Sequence, residues 1–290
     1  MAEFLQFFFS GITVGAVYAM VALGFTIIYN ASEVINFAQG EFVMIGGMTS
    51  VFLLSAGLPL PLAIALAVAI AVAVGIALNV LAIEPARGAS VVTLIIITIG
   101  ASILLRGLAQ IVFDRQFHTL PAFSGETPIT IGGAALQPQA LWVLGGALVV
   151  VLALGWFFTR TLMGKAMRAT AHNRLAAQLA GINVRFVLML SFALSAAIGA
   201  VAGVLVTPIT LTSYDAGAML ALKGFAAAIL GGMGSAAGAV AGGLLVGIAE
   251  AMGAGYISSD YKDAVAFVII LLVLFFLPRG LFGGKSVERV

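Results

Sequence analysis

The chain has 290 residues, of which 62% are hydrophobic and only 8% are charged, and its mean hydropathy is +1.21. A water-soluble domain carries about 25% charged residues, so these few charges cannot cover a water-exposed surface, and the composition excludes a soluble protein. The absence of cysteine excludes disulfides, thiolate metal ligands and a cysteine nucleophile. The net charge of +2 is only weak evidence for nucleic-acid binding, and we expect no nucleic-acid partner.

The apolar residues form runs long enough to cross a lipid bilayer, which takes about 20 helical residues each. Helices are expected because an open sheet cannot satisfy its backbone groups in lipid. The predicted fold is an all-α, polytopic transmembrane helical bundle, a single domain over 1–290 with about eight spans, including broken or re-entrant Gly-rich helices. The expected spans lie near 7–29, 36–56, 60–83, 91–112, 139–158, 187–207 and 264–278, with the Gly-rich stretch 219–253 before the last of them.

The distribution of Lys and Arg predicts the orientation. These residues are concentrated in loop 159–186 and in the C-terminal tail, which holds Arg279, Lys285 and Arg289. Because cytoplasmic loops carry an excess of Lys and Arg, both segments are predicted to be cytoplasmic, and loop 113–138 and the N-terminus are then external. Stretch 219–253 must begin and end outside, which predicts a helical hairpin with its turn at Gly231–Ser235. The sequence leaves open whether that turn reaches the cytoplasm or stops within the membrane.

Polar side chains interrupt the apolar sequence between Asn30 and Met48. Asn36, Gln39 and Glu41 lie in or beside the second expected span, and such side chains at membrane depth usually face the bundle interior or a water path. The neighbouring glycines permit a broken helix whose free backbone groups line a solute pathway. We therefore predict that these three residues line a pathway or gate. The alternative is an ordinary cytoplasmic turn in which Asn36 caps a helix.

The Gly-rich hairpin has a similar composition. Gly231, Gly232 and Ser235 lie at its turn, and Glu250 lies deeper in the same stretch. Gly-interrupted segments in two halves of a membrane protein indicate a transporter site, so the turn is a second candidate for the pathway or gate. The alternative is a tightly packed structural hairpin, since small residues four apart, such as Gly243 and Gly247, bring helices close together.

Loop 159–186 contains a short predicted helix. Asn173 suits its N-cap, Gly181 suits the left-handed position after its end, and an apolar stripe runs along one face. Such a helix docks into a groove on a partner; the alternative is a basic loop lying on anionic lipid. The residues assigned to docking are Asn173, Arg174, Leu175, Leu179, Gly181 and Ile182.

Two other basic residues, Arg106 and Lys223, fall near the expected outer ends of spans. Long basic side chains at such positions extend to the membrane interface, which is the placement we expect for both. The spans hold no nucleophile–base pair and no His/Asp metal cluster, so an intramembrane enzyme has little support.

Three segments carry a family resemblance: 15–48, 225–250 and 266–284, with NFAQGEF, ILGGMGS and PRGLFG as their most specific parts. They resemble the inner-membrane permeases of branched-chain amino acid ABC transporters, the LivH type. The resemblance implies a multi-pass protein of the bacterial inner membrane with a cytoplasmic C-terminus. It also implies a heterodimer with a second homologous permease, two cytoplasmic ATPases and a periplasmic or extracellular solute-binding protein. Membrane lipid is a further expected partner.

On this resemblance, loop 159–186 looks like the segment that couples the permease to an ATPase. ATP and Mg²⁺ would bind to the partner ATPases, and this chain would bind no cofactor or metal and hold no catalytic residue. Permeases of the same architecture serve urea, aromatic acids or sugars, so these substrates stay open. A self-sufficient, ion-coupled secondary transporter using Glu41 and Glu250 is a further alternative.

Overall fold

The computed structural model describes residues 2–277 and 280–283, which are mostly helical. The helices are α1 (Ala2–Ser32), α2 (Gln39–Ser55), α3 (Leu60–Leu78, continued by a π-helical turn, Asn79–Ile83), α4 (Val91–Phe113), α5 (Pro138–Arg160), α6 (Leu162–His172), α7 (Arg174–Leu179), α8 (Val184–Thr210), α9 (Ala216–Gly231), α10 (Ala236–Tyr256) and α11 (Lys262–Phe276). A single 3₁₀ turn, Ser259–Tyr261, precedes α11.

The predicted all-α polytopic bundle is confirmed. In the part of the chain that the structure describes, six helices are long and apolar enough to cross a membrane: α1, α3 with its π turn, α4, α5, α8 and α10. The apolar helices α2, α9 and α11 are shorter, at 17, 16 and 15 residues, whereas a full span takes about 20. The hairpin expected in 219–253 forms as α9 and α10. The span expected at 36–56 was placed too early, because the helix begins only at Gln39.

Helix α1 is the centre of the bundle, buried along most of its length from Gly11 to Ile28. It packs against α10 through glycines on both helices. A Cβ atom at Gly15 would lie 2.9 Å from the Cα atom of Leu244, and one at Gly11 would lie 2.7 Å from that of Ile248. Small residues are required here because the two backbones are in contact.

Helices α4 and α5 form the outside of the described bundle. They expose large apolar side chains such as Ile111 and Leu148, whereas the buried side of α4 carries the polar residues Thr98 and Ser102. A helix that is apolar outward and polar inward is typical of a membrane bundle, in which the outer surface meets lipid or another membrane subunit.

Contacts between loops define the two ends of the bundle. Glu84 lies 3.6 Å from Arg185, and Asn30 donates to the carbonyl of Gly234, so the turn 84–90, the segment 159–186 and the α9–α10 turn share one end. We call it the basic end, since six described basic residues lie there: Arg87, Arg160, Lys165, Arg168, Arg174 and Arg185. The tail residues Arg279, Lys285 and Arg289 lie outside the described residues.

The opposite end carries the N-terminus and loop 113–138. Gln6 exchanges two hydrogen bonds with the backbone of Ala135, and His118 forms a backbone bridge with Thr212. The loop also holds an antiparallel hairpin, β1 (Ile129–Ile131) and β2 (Ala134–Leu136), which the sequence prediction missed. Its signal is the Gly132–Gly133 pair, since both residues have positive φ and a two-residue turn of this kind favours glycine.

The α1–α10 contact predicts a specific defect. Gly15→Ala should lower the free energy of unfolding by about 1–3 kcal/mol. The added methyl group would collide with the backbone of α10, so the two helices would have to separate. Gly145→Ala is the matched control, since a Cβ atom there meets nothing within 4 Å. Denaturation of the purified variants in mixed micelles measures both. Equal stability of the two variants would contradict the close packing.

Candidate functional site

Helix α2 begins in the interior of the bundle. Gln39, its first residue, is fully buried and lies between α1 and α8. The Ser195 hydroxyl donates to Gln39 Oε1 and also lies 2.9 Å from the carbonyl oxygen of Gly24. A side chain at Gly24 would collide with the Gln39 amide. Since Ser195 lies near the middle of α8, α2 starts at mid-membrane depth. The helix is continuous from Gln39 to Ser55, so the glycines of this segment do not interrupt it.

The backbone before α2 is satisfied locally. Asn36 is buried, and its Oδ1 accepts from the backbone N–H of Ala38 at 3.1 Å. It does not cap α2, whose N-cap residue is Ala38 without a side-chain hydrogen bond. The N–H of Phe37 donates to the hydroxyl of Thr98 on α4. Among the described residues, the Asn36 Nδ2 atom has no hydrogen-bond partner.

Glu41, in the first turn of α2, is 1% exposed and faces α4. Its Oε1 accepts from the hydroxyl of Ser102 at 2.7 Å and lies 3.2 Å from Arg106 Nε. Ser102 is the middle residue of α4, so this charge pair also lies at mid-depth. Arg106 Nη2 donates to the same Ser102 hydroxyl. The expectation that Arg106 extends to the interface is wrong, because a buried carboxylate is within reach.

The N-terminal ends of α2 and α9 meet beside Glu41. Gly40 and Gly217 are so close that a Cβ atom on either would collide with the carbonyl of the other. The N-terminus of a helix carries a partial positive charge, so both ends favour the nearby carboxylate of Glu41. Two short helices that start within the membrane and converge are an arrangement that transporters use around a solute.

A pocket of about 190 Å³ opens beside this pair. Glu41, Ser102 and Arg106 form its polar side, and its remaining lining is apolar: Phe37, Ile99, Ala218, Ala221, Leu222 and Phe225. A second pocket of about 310 Å³, towards the opposite end, shares Arg106 and adds Gln110, Tyr214 and Asp215. Arg106 therefore stands between two cavities.

The turn Gly231–Ser235 lies elsewhere. Its Gly234 lines a larger cavity of about 630 Å³ at the basic end, together with Asn30 and the α6 residues Lys165, Arg168 and His172. Ser235 caps α10 by accepting from the N–H of Gly238. The backbone N–H groups of Leu281 and Phe282 donate to the end of α9. The turn thus reaches the basic end, and the structure does not bring it together with Gln39 and Glu41.

The predicted short helix in loop 159–186 is present as α7. Asn173 Oδ1 accepts from the backbone N–H of Ala176 at 2.9 Å, and Gly181 follows the helix with φ +83°. Leu175 and Leu179 are 67% and 82% exposed, whereas Ala177 on the other face is buried. The helix therefore holds two leucines outside the described fold.

Basic side chains surround α7. Arg87, Arg174 and Arg185 line an open groove beside it, to which Gln178, Gly181 and Ile182 also contribute. Glu84 supplies an acidic group nearby and lies 3.1 Å from Arg87. Helix α6, which directly precedes α7, was not predicted from the sequence. Its signal is Thr161, whose hydroxyl caps the helix by accepting from the N–H of Gly164.

A second charge cluster joins α1, α9, α10 and α11. Lys223 Nζ lies 2.7 Å from Glu250 Oε1 and 2.6 Å from Asp263 Oδ1. The hydroxyl of Tyr18 donates to Glu250 Oε2. Lys223 is buried, so the expectation that it extends to the interface is wrong. Both oxygens of Glu250 are engaged, and the cluster ties four helices together.

Comparison with known proteins places these features in a family. Residues 7–274 match the family described as branched-chain amino acid transport system / permease component. The chain is 36% identical to the high-affinity branched-chain amino acid transport system permease protein LivH of Escherichia coli (strain K12), with 99% of this chain and 98% of the relative covered. It is 34% identical to the permease protein BraD of Pseudomonas aeruginosa, with the same coverage. The ribose import permease protein RbsC of Haemophilus influenzae is 29% identical over 89% of this chain and 81% of its own length.

The Lys223 cluster gives a stability prediction. Lys223→Met should lower the free energy of unfolding by about 3–5 kcal/mol, because it leaves the buried carboxylate of Glu250 without a counter-charge. The double variant Lys223→Met with Glu250→Met should recover most of this loss, since apolar residues can replace a buried ion pair and the remaining partner, Asp263, has a side chain that is 38% exposed. Arg115→Met, at an exposed position, should change stability by less than about 0.5 kcal/mol. Denaturation in mixed micelles measures all three, and a double variant as unstable as the single one would exclude this structural role.

Proposed function

Because the chain belongs to the branched-chain amino acid transport permease family, we propose that it is a membrane-spanning subunit of an ABC importer for branched-chain amino acids in the bacterial inner membrane. The observation that carries the proposal is α7, a helix capped by Asn173 that exposes Leu175 and Leu179 at the basic end. Exposed leucines on a short, ordered helix favour a docked partner. That partner is a cytoplasmic ATPase, on which ATP and Mg²⁺ bind.

The chemistry around α7 defines what the ATPase presents. Leu175, Leu179 and the half-buried Ile182 require an apolar groove, and Arg87, Arg174 and Arg185 favour acidic side chains at its rim. Such a surface accounts for the exposed leucines better than contact with lipid headgroups. The basic residues alone would fit either surface.

Movement of α7 can reach the middle of the membrane through short connections. Thr161 alone separates α5 from α6, and Asn173 alone separates α6 from α7. After α7, the chain enters α8 at Asn183, which caps α8 by accepting from the N–H groups of Arg185 and Phe186. Helix α8 in turn carries Ser195, the partner of Gln39. Closure of the ATPases would therefore shift α8 against α2.

Within this mechanism, Asn36, Gln39 and Glu41 line the solute pathway at mid-depth. Gly231, Gly232 and Ser235 lie at the cytoplasmic exit and act as a gate there. A second homologous permease completes the pathway in a heterodimer, and a periplasmic solute-binding protein delivers the solute to the face that carries loop 113–138. The C-terminus is cytoplasmic.

The self-sufficient, ion-coupled transporter has less support. It requires Glu250 to be available to an ion, yet Tyr18 and Lys223 occupy both of its oxygens. A sugar is a substrate alternative because the ribose permease RbsC is related at 29% identity. The higher identity to LivH and BraD favours branched-chain amino acids.

The orientation is tested by single-cysteine labelling, for which the cysteine-free chain is already suited. Gln178→Cys on α7 and Glu126→Cys in loop 113–138 replace exposed residues at opposite ends. In cells with a permeabilised outer membrane, an impermeant maleimide should label position 126 at once and position 178 only after the inner membrane is opened. Immediate labelling of position 178 alone would place α7 outside and overturn the coupling mechanism.

The docking of α7 is tested by Leu179→Asp in the assembled importer. An anchor side chain buried at an interface is worth about 2 kcal/mol or more, so leucine uptake should fall at least about tenfold. ATP hydrolysis should no longer respond to leucine, and the amount of chain in the membrane should be unchanged. Leu152→Ala is the control, since Leu152 is exposed on α5. Normal uptake by the Leu179→Asp importer would exclude docking through this residue.

A further inference from the structure

We propose that the pocket at Glu41 and Arg106 binds the amino and carboxyl groups of the transported amino acid as it crosses the membrane. This inference rests on the proposed function and deepens it, because it identifies which side chains meet the solute. The pocket lies between α2, α4 and α9, at the point where the N-terminal ends of α2 and α9 converge.

The charge pair retains unused binding capacity on both sides. Glu41 Oε2 is buried and has no hydrogen-bond partner among the described residues. Arg106 Nε, although 3.2 Å from Glu41 Oε1, likewise makes no well-directed hydrogen bond in the described part of the chain. A carboxylate with a free oxygen and a guanidinium with a free N–H lie side by side. An α-amino acid presents an ammonium and a carboxylate with a comparable spacing, so it can pair with both groups at once.

The rest of the pocket suits an aliphatic side chain. Its apolar lining includes Phe37, Ile99, Leu222 and Phe225. The volume of about 190 Å³ is below the range of about 300–1,000 Å³ typical of drug-sized ligands. A small zwitterion with an apolar tail matches this combination of size and lining. A neutral sugar carries no charged group that could pair with Glu41 or Arg106.

Arg106 can also receive the solute from the neighbouring cavity. The pocket towards the opposite end shares Arg106 and contains Asp215, which supplies a second carboxylate for an ammonium group. A zwitterion can keep its carboxylate on Arg106 while its ammonium passes from Asp215 to Glu41. Arg106 is suited to this because its side chain is 35% exposed, whereas that of Glu41 is 1% exposed.

A purely structural ion pair would predict a different set of mutant effects. If Glu41 and Arg106 only stabilise the bundle, an importer with both replaced by neutral residues of similar size should take up solute at close to the wild-type rate, since a buried pair can be replaced in this way. If they bind the solute, the double variant assembles but does not transport. The two roles are therefore separated by Glu41→Gln combined with Arg106→Met, compared with each single change.

The measurement is leucine uptake by the complete importer in a host that lacks other branched-chain amino acid importers. We expect the double variant to reach the membrane in wild-type amount and to take up leucine at least tenfold more slowly. Arg106→Lys, which keeps the charge but loses the planar guanidinium, should also transport slowly. The control is Lys223→Met with Glu250→Met, a second buried pair outside the pocket, which should retain uptake. Recovery of uptake by the Glu41→Gln, Arg106→Met importer to within twofold of wild type would overturn the proposal.

A photoreactive diazirine analogue of leucine locates the solute directly. It should label peptides that contain Ile99, Leu222 or Phe225, and excess leucine should prevent the labelling. Isopentylamine, which lacks the carboxylate, and 4-methylpentanoate, which lacks the ammonium, should each compete at least tenfold more weakly. Equal competition by leucine, isopentylamine and 4-methylpentanoate, or labelling confined to other segments, would exclude this pocket as the solute site while leaving the proposed function intact. Absence of leucine uptake in the wild-type importer would instead overturn both.

Discussion

A helix that starts inside a membrane must satisfy its first backbone N–H groups without water, and the structure is arranged around this requirement at α2. The N–H of Phe37 is bonded by Thr98 from α4, and that of Ala38 by the side chain of Asn36. Within the first turn of α2, the N–H groups of Gln39 and Glu41 donate to the carbonyls of Asn36 and Ala38. The preceding turn therefore supplies most of these partners, and α4 supplies one. The start of α2 is thus in contact with α4 through Thr98 and with α1 and α8 through Gln39.

The same constraint explains why polar side chains gather at this level. The side-chain amide of Gln39 accepts a hydrogen bond from Ser195 on α8, and the carboxylate of Glu41 pairs with Arg106 on α4. Each contact joins α2 to a different helix, so a displacement of α8 cannot leave the Glu41 pocket unchanged. In the proposed importer, this linkage lets a partner at the basic end act on a solute at mid-depth.

Features set by neighbouring residues could be predicted from the sequence, and features set by distant residues could not. The caps of α7 depend on Asn173 and Gly181, which lie within a few residues of the helix, and the structure shows both. The positions of Arg106 and Lys223 depend on Glu41 and on Glu250 with Asp263, which come from other helices. Sequence position alone placed these two basic residues at the interface, because a single sequence does not reveal which carboxylates the fold brings near them.

The two buried charge clusters differ in a way that separates stability from transport. At Glu250 both carboxylate oxygens accept hydrogen bonds, from Tyr18 and Lys223, and four helices meet around the cluster. At Glu41 one oxygen is bonded and the other has no partner within residues 2–277 and 280–283, and a pocket opens beside it. An unsatisfied buried oxygen costs free energy, and a solute group that bonded it in passing would offset that cost. A pathway that must also release its solute gains from such incomplete binding, because a site that held both charges tightly would retain the amino acid.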